Sequence, residues 1–487
     1  MNRVCKLSLT ACALVVAFLL LSHKAVADGD WEVAGTVKWT VDQDGTLWLV
    51  PLEGTRGNLE VTNTGWHRAP WDGVRKKIRT LMIPEGNTIV WPADSTHLFH
   101  GCVNLENFDS FVRCDVSGVT DMNYLFSDCE KMKNVDMLSG WNISNVTNLG
   151  NLFLNCTSLS DLNGISNWVL SNVKVTCYMF CNCVSLVDLK PIERWDVQRA
   201  EDWCYMFSGC EAISDFTPLA NWQTNNLIIA SGMFQMCPLL SDVNFLSTWY
   251  TGNADSMDYM FYQCEGLTNL DGLKNWNTCR VGTMNSMFSG CTNLQNIDGV
   301  ANWNLASLWN AEFMFCNCKS LVRADAVAHW NTDTLTHLGW MFDGCDLLES
   351  VDLSNWNTAN AVNLPQLFKG CDRLQTVILG ENFSFKGQND VNTEKMLLLP
   401  VPPSSNTYEM WVRQDAAFGP FDVVTLRDSY APSMSGTWVW DFKPKDEWAT
   451  STPEKSGMTI RDVLDLSRVL AFNLVKCFLW ETWKIRL

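Results

Sequence analysis

Phe261-Tyr262-Gln263-Cys264-Glu265-Gly266-Leu267 opens a unit that passes through Leu270, Leu273 and Trp276-Asn277-Thr278-Cys279-Arg280-Val281. It reaches Met287-Phe288-Ser289-Gly290-Cys291-Thr292-Asn293-Leu294, where the pattern begins again. The same F-x-x-C-x-x-[L/I/M] phrase starts at Phe99, Phe126, Phe153, Phe180, Phe207, Phe234, Phe315, Phe342 and Phe368, at steps of 27 residues until a last step of 26. A fixed period in this range means one supersecondary unit stacked many times.

Counted from each Phe, apolar residues fall at fixed offsets. Cysteine stands at +3 (Cys129, Cys156, Cys264, Cys291), and Leu, Ile or Met at +6. Further apolar residues stand at +9 and +12, and tryptophan at +15, as in Trp141, Trp168, Trp276 and Trp303. Spacing by threes suits a coil whose wall turns inward every third residue, with one short extended segment around +5 to +9, such as Thr268-Asn269-Leu270-Asp271. The expected fold is mainly β: a parallel β-solenoid of eleven repeats of about 27 residues, closed by β-rich caps, because a bare end exposes apolar surface and unpaired strand edges. Gly209, Gly290, Gly344 and Gly370, each before a repeat Cys, suit a tight turn. The Asn and Thr of W-N-T suit side-chain bonding to nearby backbone.

The rest of the chain divides around this array. Residues 1–27 read as a signal peptide, with Arg3 and Lys6 before an apolar run and Ala25-Val26-Ala27 as the cleavage site. Residues 28–98 read as an N-terminal β-rich cap, 99–385 as the solenoid and 386–407 as a linker. Residues 408–442 read as a small aromatic β module, and 443–487 as a second linker with an amphipathic C-terminal helix. Removing Arg3, Lys6 and Lys24 takes the net charge from −18 to −21, which argues against nucleic acid as a partner. No apolar segment of the mature chain has the length of a membrane span, so the chain is expected to be secreted or held at the cell surface.

The F-x-x-C-x-x-L and W-N-T-x-x-V elements resemble the BspA-like leucine-rich repeats of bacterial surface proteins. So do the opening Gly35-Thr36-Val37-Lys38-Trp39 with Asp44-Gly45-Thr46-Leu47, and the closing Tyr430-Ala431-Pro432-Ser433-Met434-Ser435-Gly436-Thr437-Trp438-Val439-Trp440. The resemblance implies a solenoid of leucine-rich-repeat type at the cell surface. It also implies adhesion to host matrix proteins or other cells through binding of an extracellular or cell-surface protein. No binding residue carries over. Ile460 to Ala471 resembles a dockerin-type helix, but the D-x-[DN]-x-[DN]-G calcium loop is missing upstream.

The repeat cysteines read as a ladder of buried thiols, since stacked strands lie ~4.8 Å apart and a disulfide needs Cβ atoms at about 3.8 Å on converging vectors. Cys177 and Cys204, one coil apart at offset +24 in a slot read as solvent-facing, are the candidate pair for a disulfide. The tryptophan ladder reads as wall packing, with carbohydrate binding along it as an alternative. With no H-E-x-x-H, G-x-S-x-G or phosphate loop, the chain is expected not to be an enzyme and to need no cofactor or metal. Two readings of function follow: protein binding along the solenoid, or a structural spacer that displays or docks through the C-terminal segment. Deletion of 386–487 separates them.

Overall fold

The computed structural model describes residues 30–61, 68–362, 364, 366–385, 399 and 410–441. The signal peptide expected at 1–27, all but one residue of the linker at 386–407, and the linker and helix at 443–487 lie outside these residues. The chain divides into two compact units, 1–403 with 410–440, and 404–409 with 441–487. Apart from Asp441, every described residue belongs to the first.

The described residues open on a meander. Strands β1 (Glu32–Ala34), β2 (Val37–Val41) and β3 (Thr46–Pro51) pair antiparallel, and β5 (Thr80–Met82) joins β3 in parallel. A second sheet, β4 (Arg56–Asn58), β6 (Thr88–Val90) and β7 (Cys114–Asp115), is parallel and leads into the repeats. Aromatic contacts continue the seam: Trp71 and Trp91 lie 5.4 and 5.8 Å from Phe99, the first ring of the repeat ladder.

Within the array the fold is sheet-containing with few helices, but the extended segment expected at +5 to +9 is not a strand in most repeats. Thr268, Asn269 and Leu270 are irregular, and Asp271–Leu273 is a short 3-10 helix, as is the matching position from Asp136–Leu138 to Asp325–His329. Only the last repeats form strands there, β8 (Ser350–Leu353) and β9 (Thr376–Leu379). Single parallel bridges mark the stack elsewhere, in one row from Asp94 through Asp121, Asn148 and Val175 to His337. Inward turning every third residue leaves too few consecutive extended residues to make a ladder, so the turns carry the pairing instead.

Each repeat bonds to the next through its backbone. Tyr124, Phe126 and Asp128 donate their N–H groups to the carbonyls of Gly150, Leu152 and Leu154 at 3.1, 3.0 and 2.7 Å, and the pattern recurs at Tyr259, Phe261 and Gln263. The residues between them close tight turns, Leu125 N–H to Met122 O and Ser127 N–H to Tyr124 O. Buried Phe rings stack in register, 5.5 Å apart and 2° from parallel between Phe261 and Phe288.

The far end is closed by β10 (Met410–Arg413) and β11 (Gly436–Asp441). β11 pairs antiparallel with β9, in a sheet of order β10-β11-β9-β8. The segment read as a separate aromatic module is thus the edge of the array. It is not all β, for Val423–Ser429 is an α-helix capped by Asp422, whose carboxylate accepts from Thr425 N–H at 2.7 Å. Among the described residues no helix is long and apolar enough to cross a membrane.

Candidate binding row

Around every Phe the backbone turns left-handed twice. Two residues after each Phe, the downstream row has φ between 55° and 78°, and two residues before it the upstream row has φ between 52° and 63°. Both turns follow from the bonding above, which sends alternate N–H groups outward to the next repeat. A left-handed conformation costs an ordinary L-residue roughly 1–2 kcal/mol, with Gly exempt and Asn or Asp favoured among the rest.

The two rows meet this demand differently. Downstream stand Gly101, Asp128, Asn155, Asn182, Gly209, Met236, Gln263, Gly290, Asn317, Gly344 and Gly370, mostly residues that ease the turn. Upstream stand His97, Tyr124, Asn151, Tyr178, Tyr205, Gly232, Tyr259, Ser286, Phe313, Trp340 and Gln366, mostly aromatics that do not. The upstream side chains are therefore present for a reason other than the backbone.

These rings lie at the surface, half-buried, with Tyr259 36% exposed. They stack in pairs: His97 on Tyr124 at 4.8 Å, Tyr178 on Tyr205 at 4.7 Å and Phe313 on Trp340 at 4.9 Å. The Tyr205 ring leans over Gly232, where a Cβ would lie 2.2 Å from its Cε1. Tyr259, between Gly232 and Ser286 in the row, meets Tyr262 edge-on at 5.8 Å. Stacked rings cover one another's faces and present their edges and polar tips. Burial, with Cys204 and Tyr205 beside it, pushes the Tyr178 hydroxyl up, so it stays a proton donor at neutral pH. Burial and the charges of His100 and Arg68 hold His97 down at about 4, so it is neutral there. Sequence reasoning missed this row. The signal was available, an aromatic two residues before the phased Phe, but its left-handed backbone was not.

The residues singled out by the repeat lie inside. Phe126, Phe153, Phe261 and Phe288 are fully buried, as are Cys129, Cys156, Cys264 and Cys291. Each of these thiols donates to the Phe carbonyl of the preceding repeat, Cys129 to Phe99 at 3.3 Å and Cys264 to Phe234 at 3.0 Å. Burial pushes the Cys264 thiol up to about 12. Trp141, Trp168, Trp276 and Trp303 are 4–6% exposed, and each indole N–H donates to a carbonyl one repeat back, Trp276 to Leu246 at 3.1 Å. The alternative of carbohydrate binding along this ladder fails for that reason: no indole face is open to a sugar ring. The Asn of W-N-T bonds locally, Asn277 accepting from Cys279 N–H, whereas Thr278 donates its hydroxyl to Asn304 O in the next repeat.

The slot at +24 is half-buried, not solvent-facing. In it Cys177 and Cys204 are free thiols, brought together with the Asp202 carboxylate so that one ligand atom of each lies within 4.8 Å of the others. The hydrogen bond from Cys204 lowers the Cys177 thiol, while that shared bond, burial and Asp202 push Cys204 up. A shallow polar cleft of about 120 Å³, lined by residues including Gln223, Thr224 and Tyr250, is smaller than a site for a drug-sized ligand.

Three overlapping segments, 93–217, 211–323 and 294–398, match the family described as "Mycoplasma protein of unknown function, DUF285". The chain belongs to this family. No curated protein matches it. Solved structures similar to it include a leucine-rich cell surface protein of Faecalibacterium prausnitzii at 13% identity, covering 75% of this chain and 97% of that one, with a TM-score of 0.32. A leucine-rich repeat protein of Bacteroides ovatus matches at 14% identity, 71% and 94% coverage and a TM-score of 0.33. Scores this low add nothing to what the chain's own geometry shows.

Proposed function

We propose that this DUF285 chain is an exported surface protein, a BspA-like solenoid of eleven leucine-rich-repeat-type coils that binds other proteins and acts as an adhesin. In this reading residues 1–27 direct export and are cleaved after Ala27, the role is binding without catalysis, and the partner is an extracellular or cell-surface protein. The upstream row carries the reading. Aromatic side chains recur there on backbone that disfavours them, half-exposed and in register. Tyr and Trp at a half-buried surface supply large, stiff, amphipathic contact area, the composition of protein-binding hot spots. Paired rings that cover one another's faces suit a protein's mixed surface better than a sugar ring, which needs an open face. Repetition offers many weak contacts, and linked contacts gain avidity without one strong site.

The test uses the mature protein on a panel of extracellular matrix proteins and cell-wall fragments. The comparison protein carries Tyr178→Asn, Tyr205→Asn, Phe313→Asn and Trp340→Asn, which keep left-handed backbone accessible. Binding to a matrix protein, weakened at least about tenfold in the variant with an unchanged circular dichroism spectrum, is the expected result. Unchanged binding in the variant sinks the row as the binding surface. The spacer reading is separated by truncation, but a cut at 386 would strip β10 and β11 from β9 and expose its edge. The cut belongs after Asp441. Loss of binding on that truncation alone would make the array a spacer.

A further inference from the structure

In two repeats the residue three before the Phe reaches the residue five before the following Phe. Ser231 Oγ lies 2.7 Å from Ser256 Oγ, and the Asp258 carboxylate accepts from the Thr283 hydroxyl and from Asn285 N–H. At one place the same geometry gathers two thiols and a carboxylate. We propose that Cys177, Cys204 and Asp202 form a binding site for one thiophilic divalent metal ion of the zinc class, with a fourth position open to water or to a group from a partner.

The ligand set is the first argument. Two thiolates and a carboxylate select zinc-like ions over magnesium or calcium, which take oxygen ligands. Binding would release the two thiol protons to solvent and leave a dication held by three negative groups. Distance is the second. Zinc–sulfur bonds of about 2.3 Å at a tetrahedral centre place the two sulfurs roughly 3.8 Å apart, whereas a disulfide demands about 2.05 Å. The backbone fixes the separation of these side chains. Thr176 N–H donates to Asp202 O at 2.9 Å and Tyr178 N–H to Cys204 O at 2.8 Å, on either side of Cys177. Repeats so bonded place Cys177 and Cys204 at matching turn positions as two free thiols, with one ligand atom of each and of Asp202 within 4.8 Å of one another, a gathering that an ion between the sulfurs fills. The third argument is support. Cys204 N–H donates to Asp202 Oδ1 at 3.0 Å, which orients the carboxylate beside the thiols as outer contacts do in metal sites. Among the described residues this is the only grouping of three such ligand atoms. It adjoins the Tyr178–Tyr205 stack but is independent of what that row binds.

Cobalt(II) is the probe, added to full-length, reduced, metal-free protein. One equivalent should produce thiolate-to-cobalt charge-transfer absorption with tetrahedral ligand-field bands, displaced by zinc(II). Cys177→Ser and Cys204→Ser should each abolish the charge-transfer band of this site. Ser231 fills the same slot in another repeat, so both variants should keep the wild-type circular dichroism spectrum. Asp202→Asn should retain charge transfer with weaker affinity, and Cys279→Ser should behave as wild type. No charge-transfer band in the wild type, or a band indifferent to Cys177→Ser and Cys204→Ser, overturns the site. So does a Cys177–Cys204 cross-link, found by mass spectrometry, in protein isolated without reductant.

Discussion

The downstream and upstream rows share one backbone conformation and differ in what fills it. The downstream row is mostly glycine, asparagine and aspartate, from Gly101 to Gly370. The upstream row is mostly Tyr, Phe, Trp and His, from His97 to Trp340. One conformation filled by unequal residues separates architecture from surface chemistry. A position filled by residues that relieve the strain is explained by the turn, whereas one filled by residues that do not calls for another account.

The largest expected effect removes the frame on which both rows depend. Leu267 is fully buried at +6. Leu267→Asp places an unpaired carboxylate between stacked repeats and should cost several kcal/mol. Loss of cooperative urea unfolding is the expected readout. A wild-type midpoint would mean that the array is not held by this core, and the row comparison would lose its basis.

Next comes the downstream row. Gly209 has φ +71°, and a Cβ there would lie 2.3 Å from Asn182 Oδ1. The Asn182 side chain is already engaged, donating to Asn155 Oδ1 at 2.8 Å. Gly209→Ala should cost about 2 kcal/mol, from left-handed strain of roughly 1–2 kcal/mol and the displaced Asn182. A shift of less than a few tenths of a kcal/mol in chemical denaturation would break the claim that this row is set by the backbone.

The upstream row should respond less in stability and more in binding. Tyr205→Asn loses a stack worth about 0.5–1.5 kcal/mol but recovers part of the left-handed cost, so the net change should stay within about 1 kcal/mol. A loss of 3 kcal/mol or more, by the same denaturation measurement, would make the aromatics structural and return the two rows to one category.

The smallest effect is a pH dependence at the first position of the upstream row. His97 is held near 4 in the folded chain against an ordinary value of 6.5, mainly by burial. Between those values the unfolded chain binds the proton and the folded chain does not. The contribution of His97 is therefore present above about 6.5 and lost as pH falls toward 4. Partial exposure keeps it small. His97→Gln should flatten the fall in melting temperature across that window, Gln366 occupying the same place in another repeat. A slope identical to wild type would show that the folded and unfolded chains bind the His97 proton alike, and that burial does not hold it down.

Much of this molecule was legible from the period alone. A Phe, a Cys and a Trp in fixed phase already imply that Phe126, Cys129 and Trp141 lie inside a stack, because nothing else keeps eleven apolar phrases in step. The period also marks where the array starts to fade, after Leu374. Three matters were decided only by the tertiary structure. The wall is built of turns and 3-10 helices where the sequence suggested strands, because hydrogen-bond direction depends on φ, which apolar spacing does not report. The aromatic segment near the C-terminus closes the array as the neighbour of β9, since strand pairing between Thr376–Leu379 and Gly436–Val439 joins residues some sixty apart in sequence. The upstream aromatics and the Cys177–Asp202–Cys204 cluster become sites only when repeats stack. Sequence spacing sets which residues share a row, but the backbone bonds between repeats set the distances at which their side chains meet.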